Sequence, residues 1–312
     1  MKPPVVLARH TAVFVIATAA VLGLALWLTG ARDNGSVLTL TAFAIAVLFG
    51  MPHGALDLPR ARIELGLTRR GPLTVFFGVY LGLVAACIML WWWQPRLALA
   101  GFLVYSAWHF AGDWRFDDRL AAWAGGLTTI GAPALCHSHR VGEILGQITG
   151  GADVSMIVAA AALAGVAGLA LFATRCVRCR DRASLEIGLL WLLAVTLPPL
   201  AFFAVYYGAL HALRQTHCVL ASLGHARTRA LGEALLSSLA VIVVGALAAI
   251  LLTVCLGISP DDALLRAVFI GLAALTVPHM LLDALLQRAH RIRSRSGRNP
   301  TVAGYPHSRP QQ

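Results

Sequence analysis

The chain has 312 residues, of which 58% are apolar and only 12% charged, with a mean hydropathy of +0.75. Soluble domains are roughly half apolar and about a quarter charged, so a water-soluble globule is excluded. The net charge of +11 does not mark a nucleic-acid surface, because the arginines fall in short clusters between apolar runs of about twenty residues, the length that a bilayer requires.

Lys2 and Arg9 precede the first apolar run, at about 11–30. It is long enough to span and has no convincing small-residue cleavage site, so it reads as a first transmembrane helix. Further apolar runs follow at about 36–58, 72–93, 97–113, 120–136, 153–174, 184–200, 201–222, 232–257 and 263–287. The fold class is therefore all-α: a polytopic transmembrane bundle of about ten helices, eight to ten once two points are weighed. Pro198-Pro199 either separates two spans or kinks one, and the 120–136 run is short and glycine-rich.

The positive charges test this division, since cytoplasmic loops carry the Lys and Arg excess. Lys2 and Arg9, the 59–71 loop, Arg115 with Arg119, the 175–183 loop, Arg227 with Arg229 and the tail from Arg288 all fall on one side; Arg32, Arg96, Arg140 and Arg266 fall on the other. Both termini are thereby expected in the cytoplasm, and the chain in the cell (inner) membrane. Residues 1–290 read as one integral-membrane catalytic domain, and 291–312 as a basic, disordered cytoplasmic tail near anionic lipid. The six cysteines include one lone CxxC, Cys176 to Cys179, which makes neither a zinc ribbon nor a disulfide framework. Protein partners are not identified by the sequence.

Of eleven histidines, His10, His137, His139, His225, His290 and His307 read as solvated surface in loops, ends or tail. Four of the remaining five share a pattern. The segments HGALD, HFAGD, HALRQ and HMLLD place Asp57, Asp113, Gln215 and Asp283 four residues after His53, His109, His211 and His279, which puts each pair on one helix face. All four histidines lie on helices running from outside to cytoplasm, so they can meet at one depth. Neutral imidazoles there supply nitrogen ligands to a transition metal, and Asp57, Asp113, Gln215 and Asp283 can fix tautomer and orientation from behind. Ligand type alone does not choose between zinc and iron. His217 lies about 120° around the helix from His211 and is left out. Arg214 and Glu186 read as structural. Trp108, Phe110, Phe203 and Tyr207 are candidates for a tunnel holding a long apolar ligand, although interface belts place aromatics similarly.

PHGALD at 52–57, SAWHFAGDW at 106–114, YYGALHALRQ at 206–215 and VPHMLLD at 277–283 resemble, in order, the blocks of the Brp/Blh family of membrane β-carotene 15,15'-dioxygenases. The resemblance covers about residues 45–285. It implies an Fe(2+) enzyme that uses O2 to cleave the central double bond of β-carotene, giving two molecules of retinal, with His53, His109, His211 and His279 as iron ligands. One departure is that the third block of the family commonly carries a second histidine where this chain has Gln215. The alternatives are a non-catalytic carotenoid- or retinal-binding relative, which the Gln215 departure keeps open, and a transporter using intramembrane His and Asp, for which two related halves are missing.

Overall fold

A computed structural model describes residues 3–29, 54–115 and 117–295. The expected span at 36–58 falls mostly outside the described residues, as do His53, residue 116 and the tail from 296. Every regular element among the described residues is helical: α1 (Pro3–Thr29), α2 (Asp57–Glu64), α3 (Arg70–Trp93), α4 (Pro95–Ala111), α5 (Arg119–Cys136), α6 (Ser138–Ile148), α7 (Ser155–Arg178), α8 (Arg182–Thr196), α9 (Pro199–Tyr206), α10 (Leu213–Ser222), α11 (Arg227–Leu256) and α12 (Pro260–Arg295).

The boundaries follow from local chemistry. Pro95, Pro199 and Pro260 stand in the first turns of α4, α9 and α12, where proline forfeits no helical hydrogen bond. Asp118 and Asp181 cap α5 and α8 by accepting from the N–H groups of Ala121 and Ser184. Leu197 and Pro198 are extended, with ψ of 150° and 149°, so the proline pair separates two helices rather than kinking one. Sequence reading leaves 137–152 without a helix, whereas α6 occupies much of it and buries Leu145 and Ile148. Its charged face, with His139, Arg140 and Glu143, masks the apolar one.

Four helical stretches among the described residues are long and apolar enough to cross a membrane: Arg70–Trp93, Ser155–Arg178, Gly224–Leu256 and Pro260–Leu286. The apolar stretch Ala8–Leu24 is shorter. The runs at 97–113, 120–136 and 184–200 yield helices of 17, 18 and 15 residues, packed in the interior. Core side chains from α1, α4, α5, α8 and α9 meet there, including Phe14, Phe110, Trp114, Ile187, Leu190 and Phe202. By contrast α3 and α11 turn many large apolar side chains outward.

The glycine-rich α5 is the pivot of this packing. A Cβ on Gly131 would lie 2.0 Å from the Gly165 nitrogen of α7, and one on Gly125 would lie 2.1 Å from the Trp114 ring. The short, weakly apolar look of α5 in sequence thus reflects backbone-to-backbone packing, the usual use of small residues in membrane bundles. Trp114 seats against Gly125 with no exposed surface, which fixes the turn that carries Asp113.

Candidate metal centre

After Ala111, α4 tightens into a 3-10 turn, Gly112–Trp114. Asp113 is therefore swung away from His109, its neighbour four residues back. Its Oδ2 accepts from His211 Nδ1 at 3.0 Å and from the Tyr206 hydroxyl at 2.8 Å, and its Oδ1 accepts from Gln215 Nε2 at 3.0 Å. Between α9 and α10 runs a π-helical stretch, Tyr207–Ala212. One π turn spans five residues, so Tyr206 and His211 face the same carboxylate, which a regular α-helix would not permit.

The same motif occurs a second time. Asp57, in the first turn of α2, accepts from His279 Nδ1 of α12 at 2.7 Å and from the Tyr80 hydroxyl of α3 at 3.0 Å. Each histidine is thus backed by a carboxylate that is itself held by a tyrosine. The pairing is crossed: the carboxylate of the first block serves the fourth, and that of the second block serves the third. The spacing of four residues suggests partnership within each block, but the hydrogen bonds run between helices. Asp283 instead accepts from both Arg60 Nη atoms, at 3.2 and 3.1 Å, and Gln215 reaches His211 only through Asp113.

An ionised carboxylate has no proton to give, so Nδ1 of His211 and of His279 is the donor, and in the neutral imidazole the lone pair then sits on Nε2. The Nε2 atoms of His211 and His109 stand 3.2 Å apart, and the His279 ring centroid lies 5.8 Å from that of His109. Two imidazole nitrogens bound to one cation at about 2.0–2.1 Å would stand about 3.0–3.4 Å apart. The separation suits a shared metal ion, and the donor set suits a borderline metal such as iron or zinc. A His109–His211 hydrogen bond would have the same length. Among the described residues, no three His, Cys, Asp or Glu side chains form a complete metal-holding group, and His53, the fourth motif histidine, lies outside them.

An apolar cavity of about 320 Å³ adjoins these rings, lined by Asp57, His109, His211 and His279 and by side chains of α3, α4, α11 and α12. Phe110, Phe203 and Tyr207 also line it. Trp108 does not: it is 53% exposed on the outer face of α4, because the position next to His109 points about 100° away.

Behind Asp113 lies a buried network that sequence reading assigns only to structure. Glu186, with no exposed surface, accepts from Trp114 Nε1, Arg214 Nη2 and Arg182 Nη1, each at 2.8 Å, and from the Thr11 hydroxyl. Arg214 also donates to the Asp113 carbonyl at 2.8 Å, so the ion pair grips the turn that presents the carboxylate. The available signal was two opposite charges inside apolar runs, since either one alone in a bilayer is costly. His10, read as solvated, is 5% exposed and packs edge-on against His217 with centroids 5.1 Å apart. His137 bonds the Ala194 carbonyl at 2.9 Å.

Paired histidine–carboxylate–tyrosine units stand beside an apolar cavity in a chain whose described elements are all helical, four of them long and apolar enough to cross a membrane, and make a candidate site for a metal and an apolar ligand. The chain belongs to the beta-carotene 15,15'-dioxygenase family, whose model matches residues 44–287 and so takes in all four motif histidines. It is similar to the beta-carotene 15,15'-dioxygenase of uncultured marine bacterium 66A03, with 30% identity over an alignment covering 81% of this chain and 95% of the relative. No solved structure matches.

Proposed function

We propose that the protein is an integral-membrane, Fe(2+)-dependent dioxygenase that cleaves the 15,15' double bond of β-carotene with O2, giving two molecules of all-trans-retinal. The observation that carries this reading is the 3.2 Å approach of the His109 and His211 Nε2 atoms at the wall of an apolar cavity, in a chain of this family. His53, His109, His211 and His279 would hold the iron, with Asp57 and Asp113 fixing the tautomers of His279 and His211. When bound, iron supplies the one-electron chemistry that lets O2 react with a closed-shell polyene.

The remaining tasks fall to this chain's own residues. Phe110, Phe203 and Tyr207 present an apolar wall to the polyene. The Asp113 and Asp57 carboxylates keep Nδ1 protonated and the Nε2 lone pairs turned inward. Tyr206 and Tyr80 donate to those carboxylates, which keeps them from turning toward the cavity. The reaction balances without a reductant, because the carbon–carbon double bond breaks and each oxygen atom of O2 ends in one aldehyde. A lipid-dissolved substrate agrees with a bundle of about ten spans in the inner membrane, both termini cytoplasmic. Gln215 contributes through Asp113, to which it donates.

The test is production in a bacterial host that accumulates β-carotene, with loss of pigment and appearance of retinal as readouts. No retinal despite good membrane expression refutes the proposal. Iron content of the purified protein, compared with His53→Ala and His279→Ala, tests the ligand set; unchanged iron in both variants overturns it.

A further inference from the structure

Ser106 lies one turn before His109 on the same face of α4, and both line the cavity. Its residue surface is only 3% exposed, yet among the described residues its hydroxyl makes no hydrogen bond. Several helical hydroxyls elsewhere are satisfied locally. Thr129, Thr174, Thr196, Ser238 and Thr276 each bond back to the carbonyl four residues earlier, at 2.6–2.9 Å, the usual refuge for such groups in an apolar helix. Ser106 is part of the cavity wall beside the histidine cluster, where its hydroxyl is placed to meet a polar group of a bound molecule.

We infer that the Ser106 hydroxyl donates a hydrogen bond to the carbonyl oxygen of a conjugated polyene aldehyde held in this cavity, making the cavity a product-binding site. This inference rests on the proposed reaction, which creates both carbonyls where the scissile bond lay, against the histidines. The hydrocarbon substrate offers Ser106 nothing to bond, whereas each aldehyde offers one acceptor at that depth. The aldehyde therefore competes with fresh substrate and binds better than a hydrocarbon of the same length.

The experiment is titration of the purified full-length protein in detergent with all-trans-retinal and with the corresponding hydrocarbon, read by quenching of tryptophan fluorescence, for wild type and Ser106→Ala. The expected result is a ratio of aldehyde to hydrocarbon affinity about 5–10-fold lower in Ser106→Ala, the worth of one neutral hydrogen bond. Because the ratio is compared, a general weakening of the cavity does not mask the effect. Ser106→Thr, which keeps the hydroxyl, is expected to keep the ratio within about twofold of wild type. An unchanged ratio in Ser106→Ala overturns the inference while leaving the reaction standing if β-carotene is still cleaved. Ser106-dependent aldehyde binding in a protein that never yields retinal supports this site and removes the reaction.

Discussion

Glu186 offers the sharpest test of how the site is held. Its carboxylate takes four donors with no exposed surface, and Arg214, 2% exposed, depends on it for charge balance. In Glu186→Gln the amide oxygen can serve one side only. With that oxygen toward Arg214, the amide NH2 meets the Trp114 indole donor, so one N–H loses its acceptor and the guanidinium loses its counter-ion. Breaking one side of a buried pair costs about 3–5 kcal/mol. Arg182 is buffered, because Asp117 accepts from it at 2.8 and 2.6 Å. Arg214→Met alone leaves Glu186 charged but still served by Trp114, Arg182 and Thr11, and frees the Asp113 carbonyl, so about 2–3 kcal/mol is expected. The double variant removes both charges and should cost less than the sum by about 2 kcal/mol. The assay is equilibrium unfolding in mixed detergent micelles at rising SDS fraction, followed by tryptophan fluorescence. Single variants within about 1 kcal/mol of wild type, or strict additivity, would refute the reasoning.

Three other outcomes are expected. In Asp113→Asn the Gln215 amide can turn its oxygen inward, so His211 and Tyr206 keep an acceptor and one of the two new N–H groups gains one; stability is expected to fall by no more than about 1–2 kcal/mol, while iron affinity falls about 10–100-fold as His211 loses its charged support; equilibrium dialysis against Fe(2+) decides, and equal affinity counts against the assignment. Gly131→Ala, whose Cβ would lie 2.0 Å from the Gly165 nitrogen, should lower stability by about 1–3 kcal/mol in the same SDS unfolding assay, whereas Gly142→Ala, with its nearest neighbour at 3.9 Å, should be neutral. At the membrane surface, the Ala121 N–H foremost, then Arg175, hold the Asp118 carboxyl below the usual range against the opposing pull of burial. Burial works to raise Asp181, but the Ser184 N–H and the Arg175 guanidinium outweigh it and lower that carboxyl too. Stability from both is present above the ordinary carboxyl value of about 3.9 and is lost as pH falls through the folded values. Thermal stability should therefore hold from about pH 7 to 5 and decline below about 4, with a smaller acid loss in Asp181→Asn; an identical acid profile in that variant would remove Asp181 from the account.

The helical class is legible because bilayer length and arginine clustering constrain the same runs independently. The site is legible in part. A shared depth brings His109, His211 and His279 to one level of the bundle, yet depth carries no information about azimuth or partner. Asp57 and Asp113 look like intrahelical partners because the sequence spaces them so, and only the 3-10 turn after Ala111 and the position of α2 against α12 reveal the crossing. The π stretch at Tyr207–Ala212 leaves no periodic trace, since one extra residue in a turn changes no composition. Trp108 is misplaced for the converse reason: adjacency to His109 along the chain puts it on a different face. His10 is missed because a residue near the start of a helix reads as solvated until something packs over it, and here His217 does.

The crossed carboxylates also bear on how the protein is made and inherited. Helices enter the membrane in chain order, so the half-site joining Asp113 to His211 can close once residue 215 has emerged, whereas Asp57 waits for His279 until α12, the final described helix, is in place. Until then the Tyr80 hydroxyl, its donor in the folded chain, would be the group that shelters the Asp57 carboxylate. A nascent chain truncated before α12 would hold one finished half-site and one waiting carboxylate. Recombination between relatives meets the same rule: a crossover between residues 113 and 211 that exchanges the C-terminal part separates both pairs at once, whereas a cassette spanning 109–215 travels with its own pair complete.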